Sequence, residues 1–355
     1  MAILPLLKFS LSLYEDLRGT EWTQLTDDIE NVQFKNKPNI YMIQPDGYAG
    51  KEAISNVPYN YDNQFYDWID NNGFKVYDNF RSNYPASLTS NASMFAMKHH
   101  YFNDVLLPSI DMPNARNVIM DNASLRILKN NGYESFFVAQ DEYFQQDRSK
   151  SIYDNFNIQP AEVAYFTYGH DNIKNVDEDL DSAMALKTDK PKFVFVEKLL
   201  PHHVHFSEGK NHIEKERRDY ISKIEKANTW LKKTILKIKS KDKNALIIIL
   251  SDHGGWVGFN GVKEFYSTNS APLIHSTFGN FAAIDWNNNE HDGYDDKLRS
   301  NVNVFRVLFS CLSENKSYLN HLEEDASYNI RPGNFITQSV HKLIDGEGNY
   351  VNEKH

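Results

Sequence analysis

Cys311 is the only cysteine in 355 residues, which excludes an intrachain disulfide and any thiolate-rich zinc site. It does not decide the compartment, because exported domains without disulfides are common. No apolar run approaches the roughly 20 residues of a membrane helix, and neither a repeat nor a low-complexity linker divides the chain. A basic stripe is missing too. The 48 acidic side chains outnumber the 38 basic ones, which argues against a nucleic-acid partner, whose phosphates call for clustered lysine and arginine. The most basic stretch, roughly 210–243, also holds Glu214, Glu216, Asp219 and Glu225 and reads as the solvated face of a helix. Residues 1–9 are apolar but short and broken by Pro5, with no basic lead and no small-residue cleavage site. That makes a poor signal peptide and no membrane span. The expectation is a chain without its own transmembrane segment, cytoplasmic by default, and on the extracytoplasmic face if it is a domain cut from a membrane protein. The 22 phenylalanines and 20 tyrosines are too many for one sugar-stacking platform and are assigned to core and interface packing.

What is present alternates. After a polar lead segment, 1–35, strand-like runs occur at 39–43, 74–77, 135–139, 193–196, 245–250 and 281–284, separated by helical or loop-like sequence. Phe65, Trp68 and Ile69 predict a helix over 63–72, stopped by Gly73. Tyr220, Ile224, Ala227, Leu231, Ile235 and Ile238 fall on one stripe of a helix over about 213–238. Strands alternating with helices predict an α/β fold, a three-layer sandwich with a mainly parallel central sheet flanked by helices. The domain boundaries expected are 36–345, with a tail at 346–355.

The chemistry-bearing residues lie at strand ends. Ala245-Leu246-Ile247-Ile248-Ile249-Leu250 runs straight into Ser251-Asp252-His253-Gly254-Gly255, and the carboxyl ends of strands in an open α/β sheet form the binding crevice. Asp46 comes after the first strand in a Pro-Asp-Gly turn, and Pro201-His202-His203-Val204-His205 comes after the run at 193–196. Carboxylate oxygen with imidazole nitrogen suits zinc or manganese better than calcium or magnesium. A fourth donor is needed, and residues 81–94 are rich in hydroxyls and lead into a helix start, whose free amides attract anions. Asn83 and Tyr84 are placed beside the substrate by adjacency, His99 and His100 are read as solvated, and Arg306 could pair with a phosphate but is read first as half of a structural salt bridge.

Taken in order, Asp46-Gly47, Ser82-Asn83-Tyr84 leading to a hydroxyl, Pro201-His202 and Ser251 to Gly255 resemble the alkaline phosphatase superfamily in its sulfatase-like hydrolase and transferase branch. Gly279 to Ile284 and Val302 to Arg306 extend the resemblance over roughly 37–312. It implies an alkaline phosphatase-like sandwich and one divalent metal, Mn or Zn, held by Asp46, Asp252, His253 and Ser87. Ser87 would double as nucleophile, with Thr89 or Ser90 as alternatives two and three residues on. His202 is the best-placed group to protonate the leaving alkoxide. Relatives usually carry threonine where Ser87 stands. The formylglycine motif of sulfatases, Cys or Ser followed by x-Pro-x-Arg, is missing. Glu197 and His202 have the wrong spacing for the second metal of two-zinc phosphatases, although His203, His205 and His275 leave room for one.

The resemblance implies a hydrolase or a phospho-alcohol transferase of bacterial envelope biosynthesis. Its donor would be a phospholipid or other phosphoester and its acceptor a glycan or water, with no nucleic acid involved. The alternatives are a catalytically weak binding protein for a phosphorylated or sulfated glycan and a structural role for the metal. The Gly254-Gly255 pair speaks against the structural role, since two glycines make room for substrate.

Overall fold

A computed structural model describes residues 21–100, 114–164, 167, 169–207, 209, 211–287, 289–332 and 338–351. Most of the lead segment, 1–20, and the last residues of the tail, 352–355, lie outside the described residues. The strands are β1 (Ile40–Pro45), β2 (Lys75–Val76), β3 (Glu134–Ala139), β4 (Asn155–Phe156), β5 (Lys192–Lys198), β6 (Leu246–Leu250), β7 (Ala282–Asp285), β8 (Ser327–Pro332) and β9 (Gln338–Ile344). The helices among the described residues are α1 (Lys51–Ser55), α2 (Phe65–Asp70), α3 (Ser87–Ala96), α4 (Ala115–Met120), α5 (Ala123–Asn130), α6 (Val176–Ala185), α7 (His212–Lys241), α8 (Val262–Ser267), α9 (Ala271–Phe278) and α10 (Val304–Ser313). None is long and apolar enough to cross a membrane.

Seven strands form one sheet in the order β2-β7-β6-β1-β5-β3-β4. β1 lies parallel between β5 and β6, and β3 and β4 extend the parallel set. The expected mainly parallel sheet is present, with β7 antiparallel to both β6 and β2. The helices between β6 and β7 have only six and eight residues. At 1.5 Å per residue they do not carry the chain back along the sheet, so it re-enters from the end it left.

Side chains alternate across the strands, as the two-residue period of a pleated sheet dictates. Ile40, Met42, Phe193, Phe195, Leu246 and Ile248 face one core shared with α3, α5 and α10. Tyr41, Ile43, Val194, Val196, Ile247 and Ile249 face the other, shared with α2, α6 and α7. Each face buries its own apolar set, so a one-residue register slip would expose both. The 30-residue α7 carries the predicted stripe inward and runs a turn longer than its apolar pattern. Gly73, at φ +87, ends the turn after α2.

Two segments are more integrated than their composition suggests. Ile29, Val32 and Phe34 are buried in the first core. Arg306 of α10 donates to both carboxylate oxygens of Asp27, at 2.7 and 3.2 Å, with both side chains nearly fully buried. Residues 27–34 thus pack on the first core, and Arg306 makes a buried structural salt bridge. At the other end, Val351 N donates to Leu343 O and Ile344 bridges Tyr350, folding 346–351 back onto β9. The β8–β9 hairpin packs Tyr328 and Ile330 around Tyr84, and Leu343 and Ile344 against Ile274 and Phe278 of α9. Tyr328 N donates to Asn83 O at 2.9 Å and Ser327 Oγ to Ser82 O at 2.6 Å, so the hairpin holds the segment that leads to Ser87.

Removing one partner of a buried ion pair leaves an uncompensated charge, at a cost of about 3–5 kcal/mol. Asp27→Ala should therefore lower unfolding stability in urea by about that amount. A loss below about 1 kcal/mol would mean that this segment is not part of the cooperative unit.

Candidate active site

Because β1, β5 and β6 are parallel neighbours, the residues just past their carboxyl ends share one edge of the sheet. Asp46 lies past β1, Asp252 and His253 past β6, and His202 past β5. One ligand atom each of Asp46, Asp252 and His253 lies within 4.8 Å of the others, and all three side chains are buried. Ser87, the first residue of α3, points its Oγ at Asp46 Oδ1 and at His253 Nε2, 3.3 Å from each. The four residues expected to hold the metal thus come together.

The donor set fits a divalent cation. His253 Nδ1–H donates to Gly254 O at 2.8 Å, which commits that nitrogen and turns Nε2 toward Asp252 Oδ2 at 3.4 Å and Asp46 Oδ1 at 3.7 Å. In the neutral ring, a bare nitrogen then faces two carboxylates, an arrangement that calls for a positive ion between them. Burial pushes the Asp252 carboxyl above its ordinary range, and the Asp46 charge adds to the push. At Asp46 the same burial cost is outweighed by the charge and hydrogen bond of His202, which hold its carboxyl low. His202 Nδ1 bonds Asp46 Oδ2, and although burial lowers the His202 pKa, the Asp46 carboxylate outweighs it and raises it.

The backbone is shaped around these contacts. His202 and Trp256 adopt φ of 62° and 60°, left-handed conformations that concentrate at functional sites. His202 N donates to Asp46 O at 2.9 Å, and Gly47 N donates to Asp252 Oδ1 at 3.0 Å. Gly47, at φ +63, has no room for a Cβ, which would lie 2.7 Å from His203 N. No side chain caps α3, so its first-turn amides stay available to an anion beside Ser87.

Several expectations change. Thr89 and Ser90 are fully buried, with Thr89 Oγ1 donating to Ala86 O at 3.0 Å and Ser90 Oγ to Asp252 O at 2.6 Å. Thr89 lies on another face of the helix, and Ser90, one turn on from Ser87 and on the same face, has its hydroxyl taken by the Asp252 carbonyl. Asn83 and Tyr84 are buried as well, bonded to Ala326 O and stacked on His100, so they do not line a pocket. His99 and His100 are 4% and 0% exposed rather than solvated, because the hairpin and Trp22 cover them. His275 lies on α9 against Gly279, in a groove with Arg81 and Glu52 rather than with the other histidines. The space at Gly254 and Gly255 is filled by Ser276 O and the Tyr220 ring, not left for substrate.

Sequence reasoning missed the polar frame. Asn301 Nδ2 donates to Ser90 Oγ at 3.0 Å, Asp252 O at 3.0 Å and Ser251 O at 3.2 Å, while Asn280 also donates to Ser251 O. Gln44 donates to Asn91 at 2.8 Å and Asn91 to Ser87 O at 2.9 Å. Tyr220 of α7 donates to Gly47 O at 2.7 Å and accepts from Ala49 N at 2.9 Å, fixing the loop that carries Asp46. Asn280 and Asn301 lie inside the stretches of resemblance, 279–284 and next to 302–306, and that was the available signal. Glu197, set aside on spacing, is buried beside this edge, where burial first and then Asp141 and Asp46 push its carboxyl well above the ordinary range.

The α/β sandwich thus brings two buried carboxylates, an imidazole and a helix-start serine to one sheet edge. Several solved structures share this fold. The C-terminal periplasmic domain of EcEptC from Escherichia coli is 12% identical, with 88% of this chain and 95% of that one covered and a TM-score of 0.53; a complex of that domain with Zn scores 0.52. The soluble domain of lipooligosaccharide phosphoethanolamine transferase A from Neisseria meningitidis is 13% identical over 80% of this chain and 92% of that one, TM-score 0.52. A protein from the glycosaminoglycan-metabolism locus of Bacteroides thetaiotaomicron is 12% identical over 90% of this chain and 89% of that one, TM-score 0.52. At these identities the likeness is one of fold, an alkaline phosphatase-like α/β sandwich. A family model described as Arylesterase matches residues 121–226, a stretch that includes His202 but not Asp46, Ser87, Asp252 or His253. Among curated proteins, none matches the chain by sequence.

Binding to the folded state alone stabilises by about 2.7 kcal/mol at a hundredfold excess over Kd. Chelator-treated chain should therefore gain thermal stability on adding zinc or manganese, and Asp252→Asn should lose most of that gain. Equal gains in both proteins would place the stabilising ion elsewhere.

Proposed function

We propose that the chain is a metal-dependent phosphoryl-ester enzyme that works through a covalent phosphoserine at Ser87. It would act as a hydrolase or as a phospho-alcohol transferase in envelope glycan or lipid modification. The observation that carries this reading is the convergence of Ser87 Oγ on Asp46 Oδ1 and His253 Nε2 at the uncapped start of α3. A divalent cation, Mn or Zn, held by Asp46, Ser87, Asp252 and His253 would supply the positive charge that favours the serine alkoxide and offsets the phosphoryl oxygens.

The chain's own groups do the rest. With its proton given up to solvent water on cation binding, Ser87 Oγ attacks phosphorus as the alkoxide and the bond to the donor alcohol breaks; the same alkoxide is the leaving group when the phosphoserine is cleaved. The first-turn amides of α3 orient the phosphoryl oxygens by charge and hydrogen bonding. His202 is held through Nδ1 by Asp46 with its pKa raised, so its Nε2–H is available to protonate the departing alkoxide. Water or an acceptor hydroxyl then attacks the phosphoserine, with His202 taking the proton back. A phospholipid or other phosphoester as donor and a glycan or water as acceptor complete the reading. The transferases of like fold, and the periplasmic setting of the Escherichia coli domain, support phospho-alcohol transfer on the extracytoplasmic face.

Formylglycine sulfatase chemistry finds no support, since the single cysteine is buried on α10. The test is turnover of 4-nitrophenyl phosphodiester, phosphomonoester, sulfate and acetate by metal-loaded chain. A phosphoester should be cleaved; Ser87→Ala should lose about a thousandfold or more in kcat, and His202→Ala about 10²- to 10⁴-fold. Cleavage of the acetate alone, or full phosphoester turnover in Ser87→Ala, would contradict the proposal.

A further inference from the structure

Beside Asp46 the chain places three more imidazoles. One ring nitrogen each of His202, His203 and His205 lies within 4.8 Å of the others, and the rings run from half-buried to exposed. Two of the three are already fixed in ways that leave one nitrogen over. His202 uses Nδ1 on Asp46. His203 Nδ1–H donates to Val204 O at 2.9 Å, and its ring stacks on Trp256 with centroids 3.7 Å apart. Anchoring one ring nitrogen on a carboxylate or a backbone carbonyl is how metal-binding histidines are oriented, with the lone pair of the other nitrogen presented to the ion.

We propose that His202, His203 and His205 form a second cation site, distinct from the carboxylate site and selective for zinc-like ions over manganese. Three neutral imidazoles with a fourth position open is a donor set zinc accepts, and an all-nitrogen set disfavours manganese, which prefers oxygen. Nitrogens around a tetrahedral zinc stand about 3.3 Å apart, so a limit of 4.8 Å calls for side-chain adjustment of about an ångström or two and no backbone change. The exposed His205 has the freedom to make it. Lys223 of α7 faces His202 and His205 and opposes a cation, whereas Asp46, bonded to His202, favours one.

The site rests on this geometry alone and not on the phosphoryl-transfer reading. One consequence does rest on that reading: an ion on His202 Nε2 occupies the nitrogen proposed to carry the leaving group's proton. Zinc beyond the first equivalent should then slow turnover of a manganese-loaded enzyme, and His205→Ala should relieve the inhibition.

The direct experiment is metal stoichiometry on the untagged chain by equilibrium dialysis and elemental analysis, with zinc and manganese separately. The wild-type chain should bind two equivalents of zinc and one of manganese. His203→Ala/His205→Ala should bind one of each, with circular dichroism unchanged, and Asp252→Asn should lose the manganese and keep one zinc. The single variant His205→Ala, at an exposed position, should weaken the second zinc by tenfold or more even if the double variant does not fold. One zinc in the wild type, or two in the double variant, overturns the proposal. Manganese retained in Asp252→Asn would count against the carboxylate site and leave the histidine site standing.

Discussion

Two carboxylates and an imidazole nitrogen meet out of water at the carboxyl edge of the central strands. Asp46, Asp252 and His253 are all at most 2% exposed, and an unpaired charge in such surroundings costs several kcal/mol. Their neighbours supply positive charge or hydrogen-bond donors. His202 comes from the end of β5, the Gly47 and His253 amides reach Asp252, and α3, which no side chain caps, begins at Ser87 beside them. A divalent ion completes this balance, and a cation beside a helix start attracts an anion, which in the proposed function is the phosphoryl group.

Holding such a cluster requires a frame that adds no charge of its own. Asn280 and Asn301 tie the β6 end to α3, Gln44 and Asn91 tie β1 to the Ser87 carbonyl, and Tyr220 reaches across from α7 to the Asp46 loop. These neutral amides and phenols fix the backbone carbonyls and amides that aim the charged groups. Gly254 and Gly255 belong to the same frame, because the Ser276 carbonyl and the Tyr220 ring stand where their side chains would be. Their conformational freedom serves close packing behind the site.

The sandwich was legible because its strands announce themselves by composition: aliphatic runs between helical stripes, each ending in a polar residue. The same feature led to Asp46, His202, Asp252 and His253, since strand ends share an edge. Ser87 needed the resemblance, for nothing in a hydroxyl-rich loop says which hydroxyl will stay free of the backbone; in the structure Thr89 and Ser90 spend theirs on the Ala86 and Asp252 carbonyls, while Ser87 faces Asp46 and His253. The two-residue strand β4 and the β8–β9 hairpin were not legible. β4 is too short to show a period, and the hairpin's inward residues, Tyr328 and Ile330, alternate with polar ones over too few positions to stand apart from loop sequence. Burial of His99, His100, Asn83 and Tyr84 results from that hairpin and could not be read without it. The antiparallel turn of β7 depended on helix lengths that sequence patterns bound only loosely.

Anomalous diffraction from crystals grown with manganese, collected at the manganese edge, tests the account at its centre. It predicts one ordered peak bounded by Asp46, Ser87, Asp252 and His253, with Ser87 Oγ directed at the ion. Manganese ordered elsewhere and absent from that cluster would contradict the account, and with it the role given to Ser87.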